Sequence, residues 1–122
     1  MDNLRIAQIM MDEYNIKILA ATAHKPKSAR ELAFLFDIPM ASCYRKIKEL
    51  LGAGLIRIDG TELSSDGKRY KIYKSLIDCV TLVYEHGQMR MKIDMNSKAP
   101  IEIVQDMSIP ARKDRDPEDQ AQ

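Results

Sequence analysis

The sequence predicts an α+β fold, three helices followed by two β-hairpins and a polar tail. Three observations predict it: apolar residues recur at helical spacing as far as Leu50, an alternating β-rich stretch with glycine-containing turns follows, and the last segment has little to bury. From Asp12, the positions Ile16, Leu19, Ala20 and Ala23 recur at three- and four-residue spacing and stop at His24-Lys25-Pro26, which predicts a first helix with those residues facing the core. Ser28-Ala29-Arg30-Glu31 has the form of a capping box, in which a hydroxyl and a carboxylate each accept from an otherwise unpaired backbone N–H. A short second helix therefore starts there, carries Leu32, Ala33 and Phe36, and breaks at Asp37-Ile38-Pro39, where Asp tolerates a left-handed backbone better than most residues. Pro39 suits the first turn of a third helix, which runs to Leu51 and ends at Gly52-Ala53-Gly54. At 100° per residue, Cys43, Ile47 and Leu50 share one face of it, and Ala41, Arg45 and Lys48 the opposite one.

Leu55 to Ile58 and Tyr70 to Tyr73 predict two strands around a long polar loop, 59–69, with Lys68 and Arg69 at its end. A second hairpin is predicted from Ile77 to Met95 with His86-Gly87 as its turn. A two-residue loop pairs Tyr84 with Met89, Leu82 with Met91 and Val80 with Ile93, which places all six apolar side chains on one face. The chain thus divides into residues 1–75, a hairpin extension at 76–96, and a tail at 97–122 read as largely disordered. Ile101, Ile103, Val104, Met107 and Ile109 remain available to dock.

The composition excludes several classes. No apolar run reaches the 18 residues of a membrane span, and the N-terminus lacks the pattern of a secretory signal, so a cytoplasmic protein is expected. Cys43 and Cys79 have neither the density of a disulfide framework nor the spacing of a zinc site. The eight methionines read as gap-fillers in a core or interface, and His86 as a turn residue. No phosphate-cradling glycine loop, nucleophile elbow or metal-protease motif is present, so neither an enzyme nor a metal or other cofactor is expected. The net charge is only +1, yet residues 40–75 hold eight basic and four acidic side chains, while 76–122 hold six and nine. One basic face within a near-neutral chain is the pattern of a surface that meets phosphates.

Two short helices around a tight turn, then a capped stop and a hairpin, form the helix-turn-helix unit with a wing. The third helix is the element expected to enter the major groove of double-stranded DNA. Arg45 is the candidate for reading guanine, Ala41 for a thymine methyl, and Ser42 for either a donor or an acceptor. Tyr44 is placed to flank a sugar or base, while Lys46, Lys48, Lys68 and Arg69 are the expected phosphate contacts.

From Asp12 to Tyr73 the chain resembles the ArsR-like winged-helix regulators, particularly a set common in archaea. The matching pieces are Asp12-Glu13-Tyr14 with Ile18-Leu19, Ser28 to Ala33, Tyr44-Arg45-Lys46-Ile47 with Glu49-Leu50, Ala53-Gly54-Leu55-Ile56, and Asp66-Gly67 with Tyr70 and Tyr73. Thr81 to Ile93 also resembles a hairpin of that set. The departures are Asp37, where such proteins usually have Gly, and Pro39, where they often have a capping Ser. The resemblance implies a transcriptional regulator.

Two questions stay open at this level. Some winged helices are assembly modules that bind protein, and Phe34 and Leu35 add apolar bulk to the second helix outside its core face. A homodimer is expected because a twofold joins two DNA half-sites, with Val80, Leu82, Tyr84, Met89, Met91 and Ile93 at the contact or packed beneath it. The rival location is the first helix together with Leu4, Ile6, Ile9 and Met10 before it.

Overall fold

Before the first helix expected from the sequence, the chain already forms a helix of its own, α1 (Asn3–Met10), so the described residues hold four helices, one more than the three expected. The computed structural model describes residues 3–96 and 98–106. Then come α2 (Glu13–Ala21), β1 (Lys27–Ser28), α3 (Ala29–Phe36), α4 (Met40–Gly52), β2 (Ile56–Leu63), β3 (Arg69–Ser75), β4 (Ile77–Glu85), β5 (Gln88–Met95) and β6 (Lys98–Asp106). The strands form two antiparallel three-stranded sheets, ordered β1-β3-β2 and β4-β5-β6. The architecture is α+β, a winged helix-turn-helix followed by a second sheet.

Local chemistry accounts for the helix ends. Asp12 caps α2 by accepting from the Tyr14 and Asn15 N–H groups at 2.9 and 3.0 Å. Ser28 and Glu31 complete the capping box of α3. Asp37 takes a left-handed backbone, φ 52°, and lets the Ile38 N–H reach back to the Ala33 carbonyl at 3.1 Å, which turns the chain sharply into α4. Gly54, φ 74°, does the same at the end of α4, where the Leu55 N–H bonds the Leu50 carbonyl at 3.0 Å.

The buried face of α2 is rotated from the expected one. Ile16 and Ala20 are exposed, and Asn15, Ile18, Leu19 and Thr22 point inward. Two of those are polar, which hides the face from an apolar count. Each bonds backbone: Asn15 Nδ2 donates to the Ile9 carbonyl at 3.0 Å, and Thr22 Oγ1 to the Ile18 carbonyl at 2.8 Å.

The hairpin β4–β5 has the predicted register, Tyr84 with Met89, Leu82 with Met91 and Val80 with Ile93. It is not a lone hairpin. Strand β6 pairs with the far side of β5, so residues 98–106 are sheet and not the tail expected from 97 onward; the rest of that tail, 107–122, lies outside the described residues. The sandwiched position of β5 divides the six-residue face. Met89, Met91 and Ile93 are buried, whereas Val80, Leu82 and Tyr84 on β4 are 38, 42 and 61 % exposed. The buried row joins one core with Ile6, Ile9, Ile18, Leu32 and Leu50, so 76–96 completes the core of the helical unit. Chain ties mark the seam: the Leu76 N–H donates to the Leu55 carbonyl at 2.9 Å and the Asn96 N–H to the Leu76 carbonyl at 3.2 Å.

Candidate nucleic-acid interface

The fold holds α4 from one side and leaves the other in solvent. Cys43, Ile47 and Leu50 are buried, and Ala41, Arg45 and Lys48 are exposed on the opposite side, as the helical spacing predicts. Two polar links between helices fix its rotation about its own axis. Arg5 Nη2 of α1 lies 2.8 Å from Glu49 Oε2, and Lys46 Nζ lies 3.0 Å from Asp12 Oδ2 at the cap of α2. Asn15 Nδ2 adds a longer contact to Glu49 Oε1 at 3.5 Å.

Lys46, one of the expected phosphate contacts, is placed differently from the others. The Lys46 side chain is only 15 % exposed, with its ammonium on Asp12 and 5.7 Å from the Tyr14 ring centroid, so it links α4 to α2. Burial by itself would raise the Asp12 pKa, but the Lys46 ammonium and the Asn15 and Tyr14 N–H groups outweigh it and hold the carboxyl below the ordinary aspartate value. Arg45 and Lys48 have no ion-pair partner among the described residues. Tyr44 is half exposed beside them, and Ser42 is half-buried.

The wing differs from the expected long loop. Most of 59–69 is strand, because a bulge at Asp59-Gly60, with Gly60 at φ 93°, absorbs the polar residues into β2 and lets pairing resume at Thr61 with Lys71. Only the tip, Ser64 to Lys68, is a turn, closed by the Ser64 N–H on the Lys68 carbonyl at 2.9 Å and the Lys68 N–H on Asp66 Oδ1 at 3.0 Å. Hydrogen bonds from the Ser64 hydroxyl, the Lys68 N–H and Tyr70, with the nearby Arg30 cation, hold the Asp66 carboxyl below its ordinary value. Lys68 and Arg69 are exposed at this tip, Arg69 donating to Thr61 Oγ1 at 3.3 Å, and Lys71, which the sequence reading passed over, is exposed two pairs further along.

Arg30 joins the wing to α3. Its Nη1 lies 2.7 Å from the Tyr70 hydroxyl and 3.5 Å from Asp66 Oδ2, with the guanidinium 4.8 Å from the Tyr70 ring centroid. No spacing in the sequence announces that contact, since its partners are 36 and 40 positions away. Neither cysteine is part of the surface built by α4 and the wing. Cys43 is buried with its thiol pKa pushed up by burial, and Cys79 lies on β4. Among the described residues no three His, Cys, Asp or Glu side chains gather as a metal site, and no helix is long and apolar enough to cross a membrane.

The elements just described, from the end of α1 through α4 and into β2, are those that a family model recognises. Residues 10–59 match the model of a family described as a helix-turn-helix domain, while β3 and the whole second sheet lie outside the match. No curated protein matches the chain.

Proposed function

We propose that this chain is a sequence-specific regulator of transcription of the ArsR-like winged-helix kind, binding double-stranded DNA as a homodimer and without enzymatic activity. Helix α4 enters the major groove, where Arg45 reads a guanine, Ala41 and Ser42 lie against neighbouring base edges, and Tyr44 and Lys48 lie at the backbone. The wing tip, with Lys68 and Arg69, grips phosphates beside that groove. One observation carries this reading: Ala41, Arg45 and Lys48 form an exposed face on a helix whose other face is locked into the core by Cys43, Ile47 and Leu50.

The test is a salt-dependent titration of the full chain on duplexes selected from a random pool and on unselected duplex. Specific binding with a log–log slope of about −0.9 per phosphate contact is expected. Equal and weak affinity for both pools would overturn the reading.

A second reading has its own observation. Phe34 and Leu35 are 87 and 53 % exposed on α3, and Phe34 lines a cleft of about 430 Å³ with Glu62, Asp66 and Tyr70 of the wing. An assembly module that docks protein there would show no salt-dependent DNA binding and would lose its partner on Phe34→Ser.

A further inference from the structure

Resting on the dimer reading above, we infer that two copies of this chain associate through strand β4, edge to edge and antiparallel, with Leu82 on the twofold axis. The two sheets of the dimer then become one six-stranded sheet.

The two edges of the β4-β5-β6 sheet are chemically different. The β6 edge is protected: Pro100 has no N–H to offer, Lys98, Glu102 and Asp106 carry charge, and the Glu102 carbonyl accepts from Asn3 Nδ2 of α1 at 3.4 Å. The β4 edge has no proline, and its charges, Asp78 and Glu85, stand only at the strand's ends. Six consecutive uncharged residues, Cys79 to Tyr84, run along a nine-residue strand that is exposed over nearly its whole length. A long apolar edge left open is a template for another strand.

Backbone geometry selects which groups are free. His86 and Gly87 both have positive φ, 52° and 75°, the two-residue turn that closes on a hydrogen-bonded pair, here Glu85 with Gln88. Alternation makes Val83 and Thr81 the next hydrogen-bonded positions toward β5, so the N–H and C=O groups of Val80, Leu82 and Tyr84 face the open edge. These are the same residues whose side chains stand exposed on the apolar face.

A second copy of β4 fits this edge better than other strands would. With Leu82 opposite Leu82, Val80 lies opposite Tyr84 in both halves, an aromatic and β-branched pairing, and every outward-facing backbone group meets another. The two acids at the strand's ends avoid each other, Asp78 facing His86 and Glu85 facing Cys79. Pairing β4 with β6 of another copy would set Lys98, Glu102 and Asp106 against apolar side chains and would propagate as an open filament instead of a closed dimer. The twofold also places a second copy beside the apolar cleft of about 350 Å³ that Met11 and Ile16 form with Val80 and Leu82. The rival surface is in good part used: Ile6, Ile9 and Met10 of α1 are buried within the protomer, which leaves Leu4 and Ile16, 51 and 48 % exposed, as its separate apolar points.

Sedimentation of the full chain at micromolar concentration, with circular dichroism as the check on folding, tests this first. Wild type should sediment at twice 13.9 kDa, and Leu82→Lys at 13.9 kDa with its helical signal intact. A loss of folding in that variant would hide its effect on association, so cross-linking gives an independent readout in a Cys79→Ser background. Leu82→Cys should form a disulfide-linked dimer on mild oxidation, since residues opposed across a hydrogen-bonded antiparallel pair sit about 5.5 Å apart at Cα, within disulfide reach. Val104→Cys on β6 should not. A folded monomeric wild type would overturn the dimer reading and this one together. A dimeric wild type whose Leu82→Lys variant stays folded and dimeric, or one that cross-links through Val104 and not Leu82, would overturn the β4 contact alone.

Discussion

The two three-stranded sheets of this protein distribute their exposed apolar side chains differently. In the wing, β2 reaches solvent with Arg57, Thr61 and Glu62, and β3 with Arg69 and Lys71; the exposed apolar residues of β2, Ile58 and Leu63 at 45 and 59 %, stand apart with the bulge and polar residues between them. In the second sheet, β4 reaches solvent with Val80, Leu82, Val83 and Tyr84. Single exposed apolar side chains among charged and polar ones are ordinary surface, whereas a run of them along one strand edge signals a missing neighbour. The same comparison separates the roles of β4 and β5: paired residue for residue, one row anchors the core and the other faces outward.

The largest effect should come from the anchored row. Ile93 has no exposed surface and belongs to the core that includes the helices. Ile93→Ala is expected to cost about 2–5 kcal/mol in urea unfolding and to lower the stability of helix and sheet signals in one transition. Thr61→Ala, equally deep in sequence within the wing sheet but exposed, should change stability by less than about 0.5 kcal/mol. Two separate transitions for Ile93→Ala would mean that the second sheet folds on its own, and the comparison would become one of two domains.

Next in size is the DNA-facing surface. Arg45→Ala should leave stability nearly unchanged, because the side chain is exposed, and should cost about 1–3 kcal/mol on a selected duplex with relaxed preference at one base pair. Unaltered affinity and preference would remove Arg45 from the base contacts. In the wing, replacing Lys68 and Arg69 together by Ala should weaken all duplexes alike and make the salt slope shallower by about two. A slope that does not move would place the wing away from DNA, and its polar exposure would be that of a solvated hairpin only.

How far the sequence could show this depends on where each constraint originates. Elements set by local chemistry were legible: the capping box at Ser28, the turn at Asp37, the glycine end of α4 and the register fixed by His86-Gly87. The face of α4 was legible because its buried residues are apolar and regularly spaced. The face of α2 was not, since Asn15 and Thr22 are buried on backbone bonds that an apolar pattern does not record. Strand β6 was obscured by Pro100 and three charges, and without it both rows of the β4–β5 face look alike. The placement of Lys46 depends on Asp12, 34 positions earlier, and adjacent Arg45 points elsewhere.

The smallest predicted effect tests that last point. Asp12 has its pKa held below the ordinary aspartate range by Lys46 and two backbone N–H groups, against the opposing effect of burial. The sign follows from linkage: a carboxyl depressed in the folded state contributes fully above its unfolded pKa, near pH 4, and loses that contribution as pH falls through the folded value, because the unfolded chain takes up the proton first. Asp12→Asn keeps a competent helix cap and removes the charge that Lys46 pairs with. With the Asp12 side chain 37 % exposed, the pair should contribute less than about 1 kcal/mol. In urea unfolding across a pH series, wild type should exceed the variant by a constant margin above about pH 5, and the margin should shrink toward pH 2–3. A margin that stayed constant to the lowest pH would mean that Asp12 does not hold Lys46. The lysine would then be free to join Arg45 and Lys48 at the phosphates, and Lys46→Ala should weaken every duplex alike.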